Sequence, residues 1–141
     1  MSNLSCFLAG NVEKRKNKKI VVSNRFKNTN GKPVEWEIRN ISAEEDEALR
    51  RSCTKRIPVV GKRNQFTQDF DSNSYLAKLA AKAVVFPDLN NAELQNSYGV
   101  MGAEQLIKTM LYKDEFDKLT ECLVSQTDSE DVNELIDEAK N

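Results

Sequence analysis

The sequence predicts an α+β fold, mainly α, with an N-terminal β-hairpin followed by a cluster of four to five short helices. Residues 20–26 are rich in β-branched side chains and residues 34–38 alternate, with Asn30-Gly31 between them. Asn-Gly is a strong hairpin signal because both residues tolerate positive φ. From about Asp71 onward, apolar residues recur at i, i+3, i+4 and i+7 in one segment after another, the period of core helices. The expected layout is an apolar and basic lead-in at 1–19 and one domain at 20–141. Within that domain the hairpin occupies 20–39 and the helical body 42–139.

Residues 2–10 read as a short helix or an apolar tether, with Leu4, Phe7 and Leu8 on one side. Lys14, Arg15, Lys16, Lys18 and Lys19 follow as a basic linker. In the hairpin, Val34, Trp36 and Ile38 share a face while Glu35 and Glu37 point the other way. A lone hairpin is marginal in water, so that apolar face must pack on helices. Pro33 fits only at a strand's start or on an edge.

Ser42 and Glu45 form a capping box that starts a helix running to about Thr54. Its stripe of Ala48, Leu49 and Cys53 is thin, which places it at the surface. Residues 55–70 read as a loop. Pro58 and Gly61 interrupt regular structure, Lys55, Arg56, Lys62 and Arg63 make the segment basic, and Phe66 and Phe70 pin it to the body. Leu76, Leu79, Ala80, Ala83 and Val84 mark a core helix that Pro87 ends. Asn90 with Glu93 signals the next start and Gly99 the next stop. Ala103, Leu106, Ile107, Met110 and Leu111 repeat the core spacing, and Phe116, Leu119 and Leu123 mark another helix. Asp128 caps a last one, carrying Val132, Leu135, Ile136 and Ala139. Short connections between such helices favour antiparallel or orthogonal packing.

Composition narrows the chemistry. The 141 residues contain no histidine, five scattered glycines and three cysteines. Without histidine the commonest general base, the catalytic triad and most metal sites are missing. Cys6, Cys53 and Cys122 are odd in number and far apart, so they read as small hydrophobic residues. No glycine-rich phosphate loop is present. Carboxylate pairs such as Asp69/Asp71 and Asp114/Glu115 read as surface. Catalysis is the weakest class, and no catalytic, cofactor-binding or metal-binding residue is expected. No run approaches the roughly 18 apolar residues of a membrane span. The first ten residues lack the pattern of a secretory signal, so the expected location is the cytoplasm.

Charge is unevenly divided. Residues 1–63 hold 15 Lys/Arg and 7 Asp/Glu, whereas residues 64–141 hold 6 and 15. Either the two halves neutralise each other within one fold, or copies associate head to tail. The basic amino-terminal half also supports an alternative, a small nucleic-acid-binding regulatory protein in which Phe26 and Trp36 stack on bases. Against it, Trp36 shares the hairpin's apolar face and the acidic half repels phosphate. The helical stripes after residue 87 are acidic and avoid anionic lipid, so no membrane role is expected.

The succession Val22-Ser23-Asn24-Arg25-Phe26, Gly31-Lys32-Pro33-Val34-Glu35-Trp36-Glu37-Ile38, Ile41-Ser42 and Leu49-Arg50-Arg51-Ser52-Cys53-Thr54 continues through the helix at 76–85. Pro87-Asp88-Leu89, Leu94-Gln95, Tyr98-Gly99, Leu106-Ile107 and Met110-Leu111 follow, before Glu115. Over roughly residues 5–125 this order and spacing resembles the XkdN-like phage tail assembly chaperones of contractile tails and prophage-derived tail particles. The resemblance implies a small non-enzymatic assembly factor, without cofactor, acting in the bacterial host cytoplasm and absent from the mature particle. Its implied partners are the tape measure protein, a very long and aggregation-prone helical chain, and the tail tube protein. Apolar grooves between helices suit that work. The expected partner-binding surface is Phe86, Leu89, Tyr98, Met101 and Met110, which bracket the two helix breaks. Methionines suit adaptable binding surfaces.

Overall fold

The computed structural model describes residues 3–125. The helix expected at 128–139 lies outside the described residues. After a 3-10 helix at Asn3–Phe7 come β1 (Lys18–Ile20), β2 (Trp36–Ile38), α1 (Ala43–Ser52), β3 (Thr54–Pro58) and β4 (Phe66–Phe70). Then follow α2 (Ser72–Ala83), β5 (Val84–Phe86), α3 (Ala92–Ser97), α4 (Ala103–Met110) and α5 (Lys113–Val124). The described residues therefore form an α+β fold with an N-terminal hairpin and short helices, as expected from the sequence.

The hairpin is split rather than continuous. Its base pairs Lys18 with Ile38 and Ile20 with Trp36, so β1 begins inside the segment expected to be a lead-in. Its tip closes separately: Phe26 and Val34 share a backbone hydrogen bond of 2.7 Å, and Asn28 donates to the Lys32 carbonyl at 2.9 Å. The Asn28 side chain accepts from the amides of Asn30 and Lys32, and Gly31 takes φ +79°. Between base and tip, residues 21–25 leave the ladder, so the strand expected at 20–26 is interrupted. This detour drops Val22 into the core and presents Arg25 to the helices.

A third strand was not foreseen. The helix expected to include Val84 ends at Ala83, and Val84–Phe86 pairs antiparallel with β2 to complete a sheet of order β1-β2-β5. Two valines and a phenylalanine before Pro87 favour extended backbone. The neighbouring edge of β2 supplies the partner that helix spacing alone does not reveal. Arg39 seals the junction, its backbone amide donating to the Ala83 carbonyl at 2.8 Å and its side chain to the Lys82 carbonyl at 3.2 Å.

The helix starts are set locally. Ser42 accepts from the Glu45 amide at 3.1 Å while the Glu45 carboxylate accepts from the Ser42 amide at 3.2 Å, the expected capping box. As expected for a surface helix, α1 has no buried residue. Asp71 caps α2 by accepting from the Ser74 amide. The cap of α3 is Asn91, one residue after the expected Asn90, whose amide is instead taken by Asp88.

The core is one cluster joining the sheet to α2, α4 and α5. Trp36 and Ile38 from β2 meet Leu79, Ala80 and Ala83 from α2, Leu106 and Ile107 from α4, and Leu119 and Leu123 from α5. Two expected surface residues belong to it: Leu89 is 2% exposed and Met110 5%. Met110 lies i+3 and i+4 from Ile107 and Leu106 on the inward face of α4, and this periodicity outweighs its adaptability. Leu89 is fixed because the Gln95 side-chain amide donates to its backbone carbonyl at 2.8 Å, while the Gln95 side-chain oxygen Oε1 accepts from the Gly102 backbone amide.

The Arg25–Glu115 ion pair fastens the hairpin to α5. Arg25 Nε donates to Glu115 Oε2 at 2.9 Å, and Nη2 donates both to Glu115 Oε1 at 2.6 Å and to the Met110 carbonyl at 2.8 Å. The guanidinium also lies over the rings of Phe26 and Tyr112. Glu115 accepts from the Tyr112 amide as well, so it serves both as α5's capping acid and as the hairpin's anchor. Arg25 is the main cause holding the Glu115 carboxyl down to about 2.

Two outcomes follow for folding. Met110→Ala is expected to lower unfolding free energy by about 2–5 kcal/mol, and Met101→Ala, 90% exposed, by less than about 0.5 kcal/mol, measured by urea titration. A depressed carboxyl pKa stabilises the fold above its ordinary value and loses that contribution as pH falls toward the folded value. Glu115→Gln therefore lowers the melting temperature at neutral pH, and the gap to the unaltered protein closes as pH drops from about 4.5 to about 2. A constant gap in thermal scans across that window would contradict the clasp.

Candidate partner-binding surface

The segment expected to be a basic loop is a two-stranded antiparallel arm. Five residue pairs run from Thr54↔Phe70 to Pro58↔Phe66, and the ladder extends by a bond from the Val59 amide to the Gln65 carbonyl at 2.9 Å. Gly61 at φ +82° and Asn64 at φ +60° let the chain reverse at the tip. The signal for this arm was present in Ile57, Val59 and Val60 on one strand and Phe66, Thr67 and Phe70 on the other. Pro58 and the basic residues obscured it. Pro58 is tolerated because it closes the end of a ribbon strand, where its missing amide costs little.

The arm is anchored at its base. The Thr54 hydroxyl donates to the Arg50 carbonyl at 2.7 Å, and the Asp71 amide donates to the Cys53 carbonyl at 2.8 Å. The Phe70 ring packs 5.6 Å from Tyr75, whose hydroxyl donates to Asp46, and Arg50 lies 4.7 Å over the Tyr75 ring while pairing with Asp46. The Tyr75 hydroxyl is the leading cause that holds the Asp46 carboxyl below the usual range. Phe70 thus pins the segment as expected, whereas Phe66, 48% exposed, lies under the Arg56 guanidinium at 4.1 Å.

Beyond this base both faces meet solvent. Arg56, Gln68, Pro58 and Phe66 share one face, and Lys55, Asp69, Ile57 and Thr67 the other. Val60 at the tip is 98% exposed. An isolated two-stranded ribbon is only marginally stable in water, and its outer edges offer unpaired amides and carbonyls. Such an element is suited to contact another molecule.

A second exposed apolar element precedes β1. Leu4, Phe7, Leu8 and Val12 are all exposed, on a turn closed by the Asn11 side chain donating to the Ser5 carbonyl at 2.8 Å. The Asn40 side chain ties this lead-in to the hairpin by donating to the Lys16 carbonyl.

Of the surface expected from the sequence, Phe86, Tyr98 and Met101 are exposed. Phe86 stands on the sheet's edge strand, and Tyr98 and Met101 flank the α3–α4 connection. Leu89 and Met110 are core and contribute nothing to it. Trp36 and Phe26, the aromatics considered for base stacking, pack against each other at 5.6 Å, with Trp36 1% exposed. Among the described residues, no group of three or more histidines, cysteines or carboxylates is placed to hold a metal ion. A polar pocket of about 350 Å³ lies beside the Arg25–Glu115 clasp, lined by residues 21–25 with Asp114 and Lys118.

Comparison with known proteins gives a consistent result. The chain is 26% identical over 144 residues to the phage-like element PBSX protein XkdN of Bacillus subtilis (strain 168), covering 99% of this chain and 94% of that protein. The crystal structure of the protein yqbn shares the fold with a TM-score of 0.72 at 18% identity, covering 89% of this chain and 95% of that one. The family model for the phage XkdN-like tail assembly chaperone protein matches residues 4–140. With the match running over nearly the whole chain, the protein belongs to the XkdN-like family of phage tail assembly chaperones.

Proposed function

We infer that the chain is a non-enzymatic assembly factor that binds the tape measure protein and helps the tail tube form around it. The observation that carries this reading is where the exposed apolar side chains sit. Phe7 and Leu8 lie on the N-terminal segment, and Ile57, Val60 and Phe66 on the arm. Both elements are slender and solvent-facing, so they can lie along another chain without rearranging the core. A tape measure protein is a long helical chain whose apolar stripe needs covering until the tube encloses it. Phe86, Tyr98 and Met101 add apolar contacts on the body.

Action in the host cytoplasm, and absence from the mature particle, belong to the same reading. No described helix is long and apolar enough to cross a membrane. The alternative of a nucleic-acid-binding regulator is weaker because Trp36 is enclosed in the core and cannot stack on a base.

Co-expression with the tape measure protein tests the reading. The unaltered chain is expected to keep that partner soluble and to co-purify with it. Phe7→Asp with Leu8→Asp, or Ile57→Asp with Phe66→Asp, is expected to reduce recovered complex at least about tenfold. The melting temperature should stay within a few degrees, since these side chains are exposed. Undiminished recovery with both variant pairs, or a complex with nucleic acid that dissolves at high salt in place of one with protein, overturns it.

A further inference from the structure

The outer part of the arm is basic without compensation. Residues 56–68 contain three Lys/Arg and no Asp/Glu. Arg56, Lys62 and Arg63 enter no ion pair among the described residues. Lys55, by contrast, sits at the base opposite Asp69. Interleaved with the free cations are the exposed apolar residues Ile57, Val60 and Phe66.

The complementary pattern is found in the same sequence. Residues 128–139 hold six Asp/Glu and no Lys/Arg, with Val132, Leu135 and Ile136 spaced among them. This segment lies beyond the described residues and continues the chain from the end of α5.

We propose that the basic arm of one copy docks on residues 128–139 of a second copy, joining chains head to tail. The charges match in sign, and each side carries apolar residues between its charges, so the contact excludes water as well as pairing ions. Among the described residues the arm is held at its base, and its faces and tip are exposed to such a partner. The contact is heterologous: each copy uses a different surface on its two sides. An added copy therefore leaves one arm and one acidic segment open, and the assembly grows as a row. Self-association through the arm goes beyond the client binding inferred above and does not depend on it; an arm docked on a second copy is withheld from the client.

Sedimentation velocity on the full-length protein tests this, with no client present. The weight-average mass is expected to rise with concentration at low salt and fall toward the monomer at about 0.5 M salt, where screening acts over a few ångströms. Lys62→Glu with Arg63→Glu, and separately Asp131→Lys with Glu134→Lys, should each raise the self-association Kd at least about tenfold. Mixing the two variants should restore association, because each then meets opposite charge on the other. Lys62→Gln with Arg63→Gln is expected to be intermediate, and serves should either reversal perturb the circular dichroism spectrum. A monomer at every concentration and salt overturns the proposal. So does association that ignores the arm substitutions, or a mixture that stays monomeric, which is the result for docking within one chain. Each of these outcomes leaves client solubilisation untouched and so is distinguishable from failure of the proposed function.

Discussion

The close approach of neighbouring elements to α2 is the constraint on which the fold depends. Ala77, Ala80 and Ala83 are all essentially inaccessible to solvent. Short side chains there let α4 and α5 lie against one side while Trp36 and Ile38 press in from the sheet. A larger residue at any of the three would overpack a region with little room to relax. The same helix supports function at both ends. Its first residues hold the arm through Tyr75, and its last residue leads directly into β5. The arm and the three-stranded sheet are thus set by one rigid rod.

Two glutamates extend that order by linking local and long-range structure. Glu45 caps α1 and receives Arg39 at 2.6 Å, with Lys82 3.6 Å away. Glu115 caps α5 and receives Arg25. Both carboxyls are held down to about 2, each chiefly by its arginine. Residues that the helices need for their first turns therefore also fix where the hairpin lies. These pairs are partly exposed, and their geometric role exceeds their energetic one.

The surface divides differently from the core. The body closes around its core cluster and leaves Phe86, Tyr98 and Met101 exposed, while the outer arm and the N-terminal segment keep their apolar residues in solvent. A protein that has buried its core well yet leaves phenylalanine and valine on slender extensions is organised for contact with other chains. That arrangement is consistent with membership of a tail assembly chaperone family.

Local physics accounts for what the sequence by itself determined. The Ser42–Glu45 box, the helical start near Asp71, the Gly99 stop and the inward stripes of α2, α4 and α5 each depend on residues within one or two turns of one another. Single-sequence periodicity is sufficient to read them, and the whole-chain order of these signals also carried the family resemblance. Only the tertiary structure decided the rest. Residues 84–86 become a strand because β2 offers an open edge nearly fifty positions earlier in the chain. Residues 21–25 leave the hairpin because Arg25 finds Glu115 ninety positions later. Residues 54–70 form an arm because a basic stretch ending in Pro58 pairs with Phe66–Phe70 across a tip where Gly61 and Asn64 take positive φ. Leu89 and Met110 turn inward because their neighbours close over them, though each lies next to a helix break that on its own reads as surface. For β5 and the hairpin's detour the deciding partner is remote in sequence, and a pattern confined to a short window holds no information about it; the arm pairs across a local turn whose signal Pro58 and the basic residues obscure.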